Sequence, residues 1–298
     1  MSWLVIVIIA YALNAVAMAI DKALLTKEVP RPAAYTFYIS ALGGLAIVLL
    51  PFDWQVPTVS ALLFNFLAGA TFTVGLFLLF SAIKQADVSR VAPFVGGINP
   101  FLIFVFAFLF LGERLGVYQV WGFFVVLLGT FLIAVELQPD KKKGLGQALV
   151  VALPAGIFFA ISYTLTKYVF LHQSFISGFV WIRLGAFVAA LFLLLSKSNR
   201  QAIFHTASSA SGGSKFAFFT GQTSGALSAI LVSYAISLAS VSLVNALQGL
   251  QYVFLFAIVL VLKKHHPKLL AEDLSPRVYA QKVVSIALIV LGLFLISI

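Results

Sequence analysis

Apolar residues run along this chain in stretches of about twenty, broken by short clusters of Lys, Arg, Pro, Asp and Gly. A helix needs about 20 consecutive apolar residues to cross the hydrocarbon core of a bilayer. On that ruler the pattern predicts ten spans, near 2–22, 33–50, 59–82, 89–111, 116–136, 146–170, 174–195, 215–238, 242–262 and 278–297. The connections are short except at Ser196–Ser214 and Lys263–Arg277. The stretch Leu137–Gly146, with Pro139-Asp140-Lys141-Lys142-Lys143, separates two five-span halves, 1–138 and 144–298.

The halves repeat one another. Setting Ala82 against Ala235 pairs Ala82/Ala235, Ile83/Ile236, Ala86/Ala239, Val88/Val241, Ser89/Ser242, Val91/Val244, Gly96/Gly249 and Phe101/Phe254 without a gap, 8 identities in 20 positions. The first spans of each half align with Lys22 opposite Lys167, and the last with Gly129-Thr130-Phe131-Leu132-Ile133 opposite Gly292-Leu293-Phe294-Leu295-Ile296. An odd number of spans per half places the copies in opposite orientations, which is the arrangement of many transporters. The expected fold is an all-α membrane protein, ten transmembrane helices as two inverted five-helix repeats.

Composition agrees. Of the 298 residues 62% are hydrophobic and 9% charged, with a mean hydropathy of +1.10, whereas soluble domains carry about 25% charged residues. Lipid is the solvent for most of such a surface. Thirty Phe and only a weak polar–apolar alternation argue for helices rather than a barrel. The first span has no basic leader and reads as a retained helix. The net charge is +10, but Lys and Arg collect in the loops after odd-numbered spans. They face the cytoplasm by the positive-inside rule, with both termini outside. That accounts for the basic balance without a nucleic-acid partner. The chain has no Cys, which excludes disulfides, thiolate metal sites and Cys nucleophiles.

The stretch that begins at Pro93, PFVGGINPFLIFVFAFLFLGERLGVYQVWGFFVVLLGTFLI, resembles the end of an EamA domain of the drug/metabolite transporter superfamily. A Pro- and Gly-bearing helix runs to a Gly-Glu pair, here Gly112-Glu113, and a last helix follows from Gln119 to Gly129. The second half carries Lys264-His265-His266 where that pair would stand. The resemblance implies a tandem pair of five-helix units, with export or exchange of amino acids, other metabolites or lipophilic compounds through a cavity between them.

Among candidate site residues Arg183 is the sharpest, a charge near the middle of the seventh span. A cation at that depth costs about 2.5–3.5 kcal/mol, so it faces a cavity or a partner. Its guanidinium suits a carboxylate or phosphate. Lys22 and Lys167 stand near span ends, where a lysine snorkels to the headgroups, and Lys167 lies one turn from Tyr163. The ninth span carries Asn245, Gln248, Gln251 and Tyr252 as a polar stripe, and its repeat mate carries Asn99-Pro100. Amides in lipid must find partners or water, and Pro100 is placed to kink the fourth helix. Asn14 and Gln222 complete the set.

All nine acids lie at span ends or in loops, Glu113 included, where it reads as a turn charge beside Arg114. A proton-driven exporter of cationic drugs wants a carboxylate inside the membrane, so the inventory favours zwitterionic or anionic solutes moved by facilitated diffusion or exchange. A lipophilic-drug exporter is the alternative. An intramembrane enzyme needs clustered acids, His or metal ligands, and a non-transporting scaffold needs no interior Arg. The four His sit in or beside loops. No catalytic residue, metal or cofactor is expected. The expected partners are membrane lipid and a small-molecule substrate, with a homodimer as one option, in the inner cell membrane.

Overall fold

The computed structural model describes residues 2–25, 32–53, 55–85, 88–134, 145–209, 212–265 and 276–298. The boundary loop expected around 137–144 and the side chains of Lys22, Lys264 and His265 lie outside the described residues.

Among the described residues there is no strand. In chain order the helices are α1 (Trp3–Leu25), α2 (Pro32–Gly43), α3 (Val59–Gln85), α4 (Val88–Phe110), α5 (Val117–Ala134), α6 (Leu145–His172), α7 (Phe175–Leu191), α8 (Lys197–Ser209), α9 (Gly212–Leu238), α10 (Val241–Ala246), α11 (Gly249–His265) and α12 (Pro276–Ser297). Among the described residues seven stretches are long and apolar enough to cross a membrane: Trp3–Ile20, Pro32–Phe52, Val59–Lys84, Val150–His172, Phe175–Leu195, Val241–Val261 and Pro276–Ser297. Phe94–Phe110 and Val117–Ile133 are shorter apolar helices. Large apolar side chains such as Phe110, Leu195 and Phe294 stand exposed on the outer faces, as a lipid-facing surface requires.

Three departures from the hydropathy reading bear on function. The second span is α-helical only to Gly43 and continues as a 3₁₀ segment, Gly44–Phe52, that contains Pro51. Proline has no N–H to give the helix ladder. The ninth span is discontinuous, with a turn at Leu247-Gln248 between α10 and α11. By contrast its repeat mate α4 remains one helix across Pro100. The long connection after the seventh span contains helix α8. There the Arg200 N–H bonds the Ser196 carbonyl at 2.9 Å, Ile203 is fully buried, and the Tyr38 hydroxyl donates to the Ile203 carbonyl at 3.0 Å. Hydropathy alone cannot see a polar helix held by one buried residue and one anchor.

The main packed pairs are α3 with α6, α1 with α9, α5 with α12, α3 with α7 and α4 with α6. The largest core joins α1, α4, α5, α6, α9, α10, α11 and α12 around Phe123, Ile103, Ile236 and Leu247. A second gathers Leu76, Val91, Val95 and Phe159 of α3, α4 and α6. Small residues set how closely the helices approach in lipid. At the α3–α7 crossing a Cβ on Gly69 would run into the Ile182 carbonyl and the Ala186 nitrogen, and one on Gly185 would lie 2.6 Å from Phe66 Cα. Backbone meets backbone here, and no side chain can swing aside. Gly69→Ala is therefore expected to cost about 1–3 kcal/mol through overpacking, read as a thermal unfolding temperature lowered by several degrees. Gly225→Ala, whose added carbon meets Ala17 Cβ at 3.6 Å, is expected to leave it unchanged. Equal unfolding temperatures for the two variants would refute the close crossing.

Candidate functional site

α4 is one helix, so the chain end it leaves at Phe110 and the one it enters at Val88 are opposite ends of the bundle. At the first end lie Glu113, the C-termini of α6 and α9, and the start of α10. At the second lie the C-terminus of α3, the N-terminus of α2, and α8.

Arg183 lies eight residues into α7, about 12 Å from its start at 1.5 Å per residue. Its guanidinium carbon stands 5.3 Å from the centre of the Phe72 ring and 5.1 Å from that of Phe179. A Cβ at Gly43 would touch its side chain at 3.5 Å, and Tyr163 lies within electrostatic reach. The cation thus points inward, between α2, α3 and α6. It is half-buried, and no carboxylate pairs with it among the described residues. Cation–π contacts hold the guanidinium plane and leave its five N–H donors available. Nearby polar groups on this side are already spoken for. The Thr73 hydroxyl donates to the Ala186 carbonyl at 3.0 Å and lies 3.2 Å from the Ser40 hydroxyl.

Tyr163 of α6 packs against both the first and the second core, and Tyr11 of α1 is within its electrostatic reach. It connects Arg183 to the polar residues around the broken span. There the Gln248 N–H bonds back three residues, to Asn245 at 3.1 Å, where an α-helix would reach four, to Val244. The Val244 carbonyl so released accepts the Tyr11 hydroxyl at 3.0 Å. Leu250 and Gln251 continue the tighter pattern, to Leu247 at 3.0 Å and Gln248 at 3.1 Å. This is a 3₁₀ step, and it rotates α11 relative to α10.

The predicted polar stripe is divided by that step. Asn245, nearly fully buried, turns its Nδ2 back to the Val241 carbonyl at 2.9 Å. Gln251, equally buried, accepts from Asn14 Nδ2 at 2.6 Å, a bond that ties α1 to α11. Tyr252 sets its hydroxyl against Gly96 of α4, where an added Cβ would come within 2.5 Å. The Gln248 side chain is half-buried and makes no hydrogen bond among the described residues, and Asn99 is buried with its Oδ1 unpartnered. Gln222 is half-buried on α9. Its neighbour Ser224 makes the contact to α1 by donating to the Leu13 carbonyl at 2.8 Å. Arg183 and Tyr163 therefore lie near one another and Asn14 is joined to Gln251, while Asn245 bonds within its own helix and no side-chain hydrogen bond joins Asn99 or Gln222 to either pair among the described residues.

Lys167 is neither snorkelled nor free. Its ammonium donates to the carbonyls of Ile236 and Ala239, each at 2.8 Å. These lie at the C-terminus of α9, where a helix presents partial negative charge and unbonded carbonyls. Two residues on, Glu113 closes the other side of the same break. Its carboxylate accepts from Ser240 Oγ at 2.7 Å and from the N–H groups of Val241 and Ser242 at 3.1 and 3.3 Å. Ser240 in turn caps α10 by accepting from Leu243 N–H at 3.0 Å. The turn that carries Glu113 there is built on Gly112, at φ +66, a left-handed conformation that favours glycine. The opposed charges of Lys167 and Glu113 also attract across the turn.

This corrects the reading of Glu113 as a turn charge beside Arg114, whose guanidinium lies over the Phe108 ring, 3.9 Å from its centre. The sequence signals were the Gly112-Glu113 pair and the repeat-mate hinge. Neither says which helix the carboxylate will reach.

No group of three or more His, Cys, Asp or Glu that could hold a metal occurs among the described residues. A cavity of about 610 Å³ opens at the second end, lined by residues of α2, α3 and α8, away from Arg183.

Residues 1–135 match the EamA-like transporter family. Over 134 residues the chain is 34% identical to the pseudopaline exporter CntI of Pseudomonas aeruginosa, in both strain UCBPP-PA14 and strain PAO1. That match covers 43% of this chain and 45% of the relative, so it spans about half the length of the curated relatives. A solved crystal structure superimposes with a TM-score of 0.67 at 20% identity, covering 99% of this chain and 96% of the other. It shares the fold.

Proposed function

We propose, from the membership of residues 1–135 in the EamA-like transporter family, that the whole chain is a ten-helix transporter of two inverted five-helix repeats, 1–138 and 144–298. It moves small anionic or zwitterionic metabolites across the inner membrane by alternating access. The observation that carries the substrate class is Arg183, a half-buried cation with no acidic partner among the described residues.

The packing supports the repeat. Under the exchange of halves α1 corresponds to α6, α3 to α9 and α4 to the α10–α11 span. The pairs α3–α6 and α9–α1 then change places, as do α4–α6 and α11–α1, while α5–α12 maps onto itself. Each half completes the other's bundle, and an interface of that kind can rock about a pseudo-twofold axis. The similarity to an exporter supports outward flux or exchange.

Glu113 and Lys167 supply the gate in this reading. They hold the α9–α10 break at the end opposite the cavity, which by the Lys and Arg distribution is the outer end. Lys264-His265-His266 replaces the Gly-Glu pair in the second half, so the two ends carry different chemistry and open with different ease. A discontinuous span with a capped half-helix is the element that can move without unfolding.

Purified protein in liposomes is expected to catalyse saturable counterflow of an amino-acid or organic-acid solute, and a proton ionophore is expected to leave the exchange untouched. Flux confined to lipophilic cations, or abolished by the ionophore, would overturn the assignment. Reporter tags on either terminus are expected to lie outside the cytoplasm.

A further inference from the structure

The cavity at the second end has a chemistry of its own. Its wall is mainly apolar, formed by Pro32 and Ala33 at the start of α2, Phe77 of α3 and Ala202 of α8, with Ser81 of α3, whose hydroxyl donates to the Phe77 carbonyl at 2.6 Å. Its mouth is polar: Lys84 from the last turn of α3, with Ser198 and Asn199 of α8 opposite. Lys84 and Ser198 are exposed and Asn199 is half-buried. None of the three side chains has a hydrogen bond or ion pair among the described residues.

Helix α8 follows the span Phe175–Leu195 directly, and Phe192 and Leu195 just before it and Phe204 within it present apolar faces outward, 67, 79 and 62% exposed. That combination puts α8 at the level where acyl chains meet headgroups. Lys197 and Arg200 add charge on the same short helix. The charge distribution assigns this end to the cytoplasmic leaflet, whose surface carries anionic lipid. A small polar solute needs only the mouth, whereas an amphiphile uses both wall and mouth.

We infer that this cavity is a binding site for an anionic phospholipid, with its phosphate at Lys84, Ser198 and Asn199 and its glycerol and upper acyl chain along Phe77, Ala33 and Ala202. The volume of about 610 Å³ lies within the range of small-molecule sites. A lipid bound here bridges α2, α3 and α8 and so braces the cytoplasmic end of the first half against the second.

The test is thermal unfolding of the full chain in detergent with added phosphatidylglycerol or phosphatidylcholine at matched concentration. Phosphatidylglycerol is expected to raise the unfolding temperature by about 3 °C or more beyond phosphatidylcholine. Lys84→Gln is expected to lose most of that difference, and Arg277→Gln, a control on α12, to keep it. Glycerol 3-phosphate at the same concentration is expected to give no shift. Full retention of the difference in Lys84→Gln would overturn the site. Equal stabilisation by glycerol 3-phosphate would overturn its assignment to lipid and make it a site for a free phosphate.

Discussion

Arg183→Gln is expected to lower transport in liposomes by about 10- to 100-fold while the protein still folds and inserts. A hydrogen bond to a charged group contributes about 1.5–3 kcal/mol when its partner is present, and 1.4 kcal/mol is a factor of ten. The fold should not suffer, because a cation half-buried without a carboxylate partner is a desolvation burden. Its unfolding temperature is therefore expected to be unchanged or slightly raised. Arg183→Lys keeps the charge but loses the planar fork that a carboxylate engages, so an intermediate rate is expected. The discriminating result is the split between flux and stability. A structural arginine would lower both together. Unchanged flux in Arg183→Gln would remove it from the substrate path.

Glu113→Gln is expected to loosen the α9–α10 break. The carboxylate holds one hydroxyl and two backbone N–H groups at the start of α10, and a neutral amide forfeits the charge that strengthens all three bonds. With about 1.5–3 kcal/mol removed from the closed arrangement, the open form should gain roughly ten- to a hundredfold in population relative to the closed one. The absence of Cys from the chain makes this measurable. A single cysteine in place of Ala239, beside the hinge, reports opening by its rate of labelling with a membrane-impermeant maleimide. Glu113→Gln is expected to speed that labelling by about tenfold or more. Lys167→Met should speed it too, and the double variant should fall short of the product of the two, since both charges hold the same turn. Labelling unchanged by either substitution would end the account of these residues as a gate.

The legible parts of the molecule are those in which neighbours in sequence share an environment. Seven of the expected spans appear as helices of sufficient length and hydropathy, because the solvent acts on every residue of a span alike. The isolated charge at Arg183 was legible for the same reason, as a residue whose cost in that solvent demands an explanation. Helix α8 was not, since its low hydropathy resembles a loop until Ile203 finds a buried seat. Nor was the partner of Glu113. The carboxylate stands at the end of α4 and bonds residues more than a hundred positions away, and nothing local distinguishes such a glutamate from one in a solvated turn. Lys167 illustrates the same limit. Its position near a helix end suits snorkelling, yet the carbonyls of Ile236 and Ala239 at the end of α9 claim it.

By itself the sequence determined that the chain lives in lipid, that it carries a duplicated pattern, and that one cation sits deep in its seventh span. Each follows from transfer energies or from spacing, quantities that belong to a residue and its neighbours along the chain. Only the tertiary structure decided where the ninth span breaks, which carbonyl Tyr11 takes, and how Glu113 and Lys167 meet across the α9–α10 turn. Those outcomes depend on which backbone groups distant helices leave unsatisfied when they pack. In a membrane no water stands ready to satisfy them instead.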